Sequence, residues 1–249
     1  MLGLISVIVI GFFLGMRHAT DPDHVIAVST IVTQQRSAKR AALIGAFWGL
    51  GHTVTIFIVG CAIILFNVVI PTRLGLAMEF SVSLMLILLG GWNLARFSSP
   101  LPHPHNHGDC VHAHPETHPH LPNDTPLARM DRSLGRSSVY QFIRPLIVGI
   151  VHGLAGSAAV ALLILATIRH SGWAIAYLLV FGVGTIAGMM VITMSIASAI
   201  HFVGNRFQSL GRRMALVSGV ISVGFGLTVA FQICVLQGLF GSNPHWTPH

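Results

Sequence analysis

The stretch LISVIVIGFFLGMRHATDPDHVIAVSTIV, residues 4–32, decides the architecture. Its two ends are apolar enough for the interior of a bilayer. Its middle, GMRHATDPDHVIAV (15–28), sets Arg17, His18, Asp21, Asp23 and His24 close together inside that apolar run. Ionisable groups at membrane depth are costly and mark a functional site by default. In an unbroken helix His18 and His24 would point about 120° apart, toward different neighbours. Pro22 changes this. It has no N–H, so the carbonyl of His18 should lose its partner, and its ring biases Asp21 away from helical geometry. We therefore expect a first membrane helix broken near Pro22, over 18–23, so that imidazoles, carboxylates and a freed carbonyl converge. Transporters hold ions at such breaks near the membrane midplane.

The rest of the chain agrees. Hydrophobic residues make up 53% and charged residues 8%, against roughly 25% charged in a soluble domain. Residues 41–72, 145–168 and 170–205 contain no Asp, Glu, Lys or Arg. A span needs about 20 apolar residues. The fold class is thus an all-α polytopic membrane protein, with six spans near 2–33, 42–66, 75–96, 142–167, 173–200 and 214–238. The lipid bilayer is its obligatory surroundings. The basic residues are scattered over short loops, which gives no nucleic-acid surface. The N-terminus has no basic leader and no cleavage site, so it reads as retained. Cys61 and Cys234 fall in spans as packing residues, and the three cysteines form no CxxC.

Orientation follows from the loops. Arg36, Lys39 and Arg40, then Arg96, Arg129, Arg132, Arg136 and Arg144, then Arg206, Arg212 and Arg213 share one side; Arg73 and Arg169 take the other. The richer side is cytoplasmic. Both termini then face outward, in what is expected to be a bacterial inner membrane.

A weak internal repeat overlays 15–28 on GIVHGLAGSAAVAL (149–162), matching Gly15 with Gly149 and His18 with His152. GLGHT (49–53) overlays GVGTI (182–186), and Gly90 is matched with Gly224. Three spans per half force opposite entry, so the expectation is a 3+3 inverted repeat, with 1–97 and 140–249 as its halves and one half rocking against the other. Chance alignment of glycine-rich helices is the plainer alternative. Between the halves, 98–139 is rich in Pro, His and Ser and reads as a largely disordered cytoplasmic loop. Its His103, His105, His107, Cys110, His112, His114, His118 and His120 suit metal collection; a polar linker is the alternative.

Imidazole and carboxylate together suit divalent first-row metals such as Ni, Co and Zn. The candidate ligands are His18, Asp21, Asp23, His24, His52 in the second span and His152 in the fourth. Arg17 would balance the aspartates, and the small residues around Ser157 would line a narrow path. A buried His–Asp–Arg network that only fixes helix contacts is the bland alternative, as is simple packing for His52 and His152. Glu79 reads as a solvated helix end, and His170 and His201 as interfacial.

These residues resemble the nickel/cobalt transporter family within the wider NicO group. The pattern R-H-A-x-D-x-D-H stands complete as Arg17, His18, Ala19, Asp21, Asp23 and His24, and the second motif as Gly51, His52 and Thr53. The resemblance implies a transporter, not an enzyme, with Ni2+ or Co2+ as cargo and no permanent cofactor. Larger members have eight spans and an acidic later motif. This chain carries HGLAGSAA (152–159) instead, like the shorter branch labelled urease-accessory membrane proteins. Uptake is the leading reading. Efflux of the same ions is the nearest rival, and a membrane di-metal enzyme is disfavoured because it needs about eight histidines in boxes. An oligomer is compatible with all of these.

Overall fold

The computed structural model describes residues 2–32, 35, 37–66, 70–97, 106–107, 110–111, 138–154, 170–206 and 208–246. The fold is helical. Its elements are α1 (Leu2–His18), α2 (Pro22–Val32), α3 (Ala38–Phe66), α4 (Thr72–Phe97), α5 (Ser138–Gly153), α6 (Ser171–Arg206) and α7 (Gln208–Phe231), which runs into a π turn, Gln232–Leu236. In the His-rich segment, β1 (Asn106–His107) pairs antiparallel with β2 (Cys110–Val111), His107 facing Cys110. The other candidate residues of that segment, His103, His105, His112, His114, His118 and His120, lie outside the described residues, as does Ser157.

Four stretches are long and apolar enough to cross a membrane: Ala38–Phe66, Thr72–Ala95, Ser171–Phe202 and Arg213–Leu236. The expected first span is two shorter apolar pieces, Ile8–His18 and Pro22–Val32, and Phe142–Gly153 is the described part of the expected fourth. At 1.5 Å per residue α1 rises about 25 Å and α2 about 16 Å, so neither covers a core of about 30 Å alone. Phe13, Ile58, Leu88, Val217 and Phe202 point outward as an apolar exterior.

Lipid tails are as apolar as leucine, so such helices associate through close contact of small residues. Here the seams are built on glycine. A Cβ on Gly15 would collide with the carbonyl oxygen of Phe181, and one on Gly149 with that of Trp48. One on Gly51 would strike the carbonyl of Leu146, and one on Gly184 that of Phe12. Gly49 lies against Ile186 and Gly182 against Thr53. These contacts come in reciprocal pairs. Positions 12 and 15 correspond to 146 and 149, an offset of 134, while 48, 49, 51 and 53 correspond to 181, 182, 184 and 186, an offset of 133. Between α4 and α7, Gly90 lies against Gly219 and Val223, and Gly226 against Ser83 and Ile87. Gly90 and Gly226 thus make the reciprocal contacts of this seam. The expected match, Gly224, has nothing within 4 Å of its would-be Cβ.

The resulting contacts join α1 to α6, α3 to α5 and α6, and α4 to α7, while α2 touches α4, α6 and α7. Buried threonines back-bond to their own helices: Thr55 to Gly51, Thr185 to Phe181 and Thr193 to Met189. That satisfies each hydroxyl where no water is at hand. The main core gathers Val28, Val32, Ile44, Trp48, Leu86 and Met189 around the α1–α2 break.

Candidate metal centre

The break falls where Pro22 demanded it, but it is closed more tightly than expected. The carbonyl of His18 is not freed: the N–H of Asp21 donates to it at 3.1 Å, and the N–H of Thr20 donates to Arg17 O at 2.8 Å. These i→i+3 bonds end α1 in a tight turn. Pro22 then opens α2 at its first position, where a missing N–H costs nothing. The chain changes direction within three residues, and side chains rather than carbonyls meet at the corner. The negative end of α1 and the positive end of α2 meet there too, with Arg17 and His18 on the first and Asp23 on the second, as helix dipoles favour.

Four imidazoles from four helices converge beside that corner. His18 Nε2 lies 2.9 Å from His52 Nε2. His152 Nε2 lies 2.9 Å from Asp23 Oδ2 and 3.2 Å from His24 Nδ1. His24 Nδ1 also meets Asp23 Oδ1 at 3.0 Å. Asp21 Oδ2 accepts from His18 Nδ1 at 2.8 Å, which fixes the tautomer and leaves the Nε2 lone pair available to a metal. His24, His52 and His152 are wholly buried. The ring of His24 is central, with centroids 4.1, 4.7 and 5.0 Å from those of His152, His18 and His52.

Three ring nitrogens here, His24 Nε2, His52 Nδ1 and His152 Nδ1, are buried with no hydrogen-bond partner among the described residues. Each such group costs about 1–3 kcal/mol. Three such nitrogens side by side fit a site that takes a ligand better than a core built only for helix contacts. Among the described residues the ligand atoms fall into two groups within 4.8 Å: His18, His24 and His52, and Asp23, His24 and His152.

A cavity of about 570 Å³ leads to the centre. Its walls include Arg17, His18, Asp21 and Asp23 together with Glu79, Gln232 and Gln237. Arg17 lines it with both aspartates but forms no ion pair with either. Thr53 is not in the cluster; its hydroxyl donates to Gly182 O at 3.2 Å, joining α3 to α6. Glu79 is not a simple solvated end, because it lines the cavity and accepts from Trp246 Nε1 at 2.8 Å. His170 and His201 are exposed, away from the centre.

Two residues were not anticipated. Trp48 is buried with its ring stacked against His24, centroids 6.5 Å apart, and edge-on to His152 at 5.8 Å. Phe181 lies 5.6 Å from His18. The signal for Trp48 was its place one turn before His52. Phe181 is its counterpart in the reciprocal seams, as His18 is of His152.

Residues 4–239 match the NicO family, described as high-affinity nickel-transport protein. The chain is 35% identical to the urease accessory protein UreH of Bacillus sp. (strain TB-90), over 95% of this chain and 96% of that protein. It is 25% and 24% identical to the chloroplast proteins FOR GROWTH AND FERTILITY 1 and 2 of Arabidopsis thaliana, over 89% and 88% of this chain but only 58% and 54% of those proteins. No solved structure matches. With a family match over nearly its whole length, apolar helices able to cross a bilayer and a buried His/Asp cluster, the chain belongs to the NicO family of high-affinity nickel-transport proteins and is a membrane transporter, not an enzyme.

Proposed function

We propose that this protein carries Ni2+, or Co2+ as its close alternative, inward across a bacterial inner membrane. The ion enters by the cavity, sheds water at the α1–α2 corner and takes nitrogen and oxygen ligands from His18, Asp23, His24, His52 and His152, with Asp21 holding His18 in place. The observation that carries this reading is the convergence of four imidazoles and a carboxylate around three unsatisfied ring nitrogens, at the end of a cavity. Imidazole-rich donor sets favour nickel over cobalt in intrinsic affinity.

The architecture we propose for this task is six spans in a 3+3 inverted repeat, 1–97 against 140–249, with both termini outside and the 98–139 loop in the cytoplasm. The reciprocal glycine contacts support it, since chance alignment would not place each pair against the other's partner. In that frame the cavity opens outward, because Glu79 and Gln237 lie at the outer end. The His-rich loop collects metal inside, and Ser157 lines the inward path.

The test is nickel-63 accumulation in cells without other nickel uptake, comparing wild type with His18→Ala. Accumulation that needs His18 establishes uptake. Faster loss of preloaded nickel, again His18-dependent, reverses the direction. Accumulation unchanged by His18→Ala removes the site. Deleting 103–120 should alter apparent affinity or selectivity while leaving transport in place.

A further inference from the structure

We infer that the centre is two overlapping metal sites which share the His24 ring and are filled one at a time, so that the ion crosses it by leaving one nitrogen of His24 for the other. The inference rests on the transport reading above and deepens it.

The donors divide in two around that ring. One group, His18, His24 and His52, offers three nitrogens; the other, Asp23, His24 and His152, includes a carboxylate. No group of all five meets the same mutual distance among the described residues. The His52 and His152 rings stand 5.9 Å apart, farther than either stands from His24. His24 Nδ1 is turned to Asp23 and His152, whereas its Nε2 is buried without a partner.

A neutral imidazole carries one N–H and one lone pair, so it ligates through one nitrogen at a time. Two divalent ions on opposite edges of one ring would also repel with four times the energy of unit charges. The sites are therefore mutually exclusive: an ion moving between them exchanges His18 and His52 for Asp23 and His152, while the His24 proton passes from Nδ1 to Nε2. The outer ligands His18 and His152 are counterparts in the reciprocal seams, with Phe181 beside one and Trp48 beside the other. Each half of the chain thus contributes one terminal ligand, and the shared ring lies between. His18 lines the cavity and receives the ion, while His152 is wholly buried behind it.

The test uses the full-length protein, purified in detergent, with Ni2+ bound in equilibrium dialysis and its ligands counted by X-ray absorption. Wild type should hold one Ni2+. His52→Ala and His152→Ala should each still hold one, within about tenfold of wild-type affinity. The first should keep an oxygen ligand and the second an all-nitrogen protein shell, and neither should transport. The double variant and His24→Ala should lose binding by more than about a hundredfold. His52→Asn and His152→Asn, checked for the same elution profile as wild type, guard against misfolding. Two ions in wild type, or loss of binding in either single variant with unchanged elution, would overturn the shared-ring arrangement in favour of two independent sites or one composite site. No binding by wild type would overturn the transport reading itself.

Discussion

Asp21 Oδ2 and His18 Nδ1 lie 2.8 Å apart across the corner between α1 and α2. The carboxylate accepts the ring's N–H and so keeps the Nε2 lone pair aimed at His52. Removing it frees the tautomer without removing a ligand. Asp21→Ala should weaken nickel affinity by about 10–100-fold, the usual cost of losing such a brace. Asp21→Asn should lose less, because its amide oxygen can still accept. A nickel titration of the purified variants checks both, and equal losses would mean that Asp21 ligates directly.

The glycine seams give a stability prediction with internal controls. Gly51→Ala and Gly184→Ala each drive a methyl into the opposing backbone. Each should destabilise by about 1–3 kcal/mol or prevent assembly. Gly91→Ala, Gly172→Ala and Gly224→Ala meet nothing within 4 Å and should be near neutral. Thermal unfolding in detergent separates the two groups. Gly226→Ala should behave with the first group, which distinguishes it from Gly224.

Trp48 predicts a different kind of loss. Its wholly buried ring walls His24 and His152. Trp48→Ala leaves a cavity costing about 3–5 kcal/mol and lets both imidazoles swing. Trp48→Phe should keep the fold and most of the binding. The check is expression and nickel-63 accumulation measured together, so that lost protein is not mistaken for lost transport.

On the cavity wall Glu79 accepts from Trp246 Nε1 at 2.8 Å, and Arg73 donates to Gly241 O at 3.2 Å. These two bonds tie the segment 241–246 to the start of α4. Glu79→Gln should weaken apparent nickel affinity only about two- to fivefold, and the difference should shrink at high salt. Uptake curves at low and high ionic strength test this.

Much of this was legible in the residues themselves. Pro22 in an apolar run of one helix-and-a-half foretold the broken first span, and with it the approach of the His18 and His24 rings. The fate of the His18 carbonyl was not legible, because a proline removes one donor but cannot say whether a neighbouring N–H, here that of Asp21, takes its place. Nor was the true partner of Gly90. Sequence overlay slides freely along glycine-rich helices, and only contact with Gly219 and Val223 fixes the register. Trp48 and Phe181 looked like ordinary apolar residues until the helices placed them against histidines. Glu79 looked solvated because its partner, Trp246, lies at the far end of the chain.

The seams also limit which bodies can slide. The sequence suggested one half swinging against the other, yet every glycine seam joins a helix of one half to a helix of the other. At Gly15, Gly51, Gly149 and Gly184 the facing atom is a backbone carbonyl oxygen, so the halves are interleaved rather than stacked as separate blocks. The most extensive contacts gather α1, α3, α5 and α6 into one group and α4 with α7 into another, with smaller contacts between α6 and α7 and between α4 and α5; the cavity is lined from both groups, by Leu14, His18 and Phe181 of the first and Val82, Leu86 and Phe225 of the second. The short helix α2 bridges the two groups. It carries Asp23 and His24 at its head, while Ser29 shares a 2.7 Å hydrogen bond with Ser218 of α7. Through α2, Asp23 and His24 are thus tied to α7 as well as to the helices that carry His18, His52 and His152.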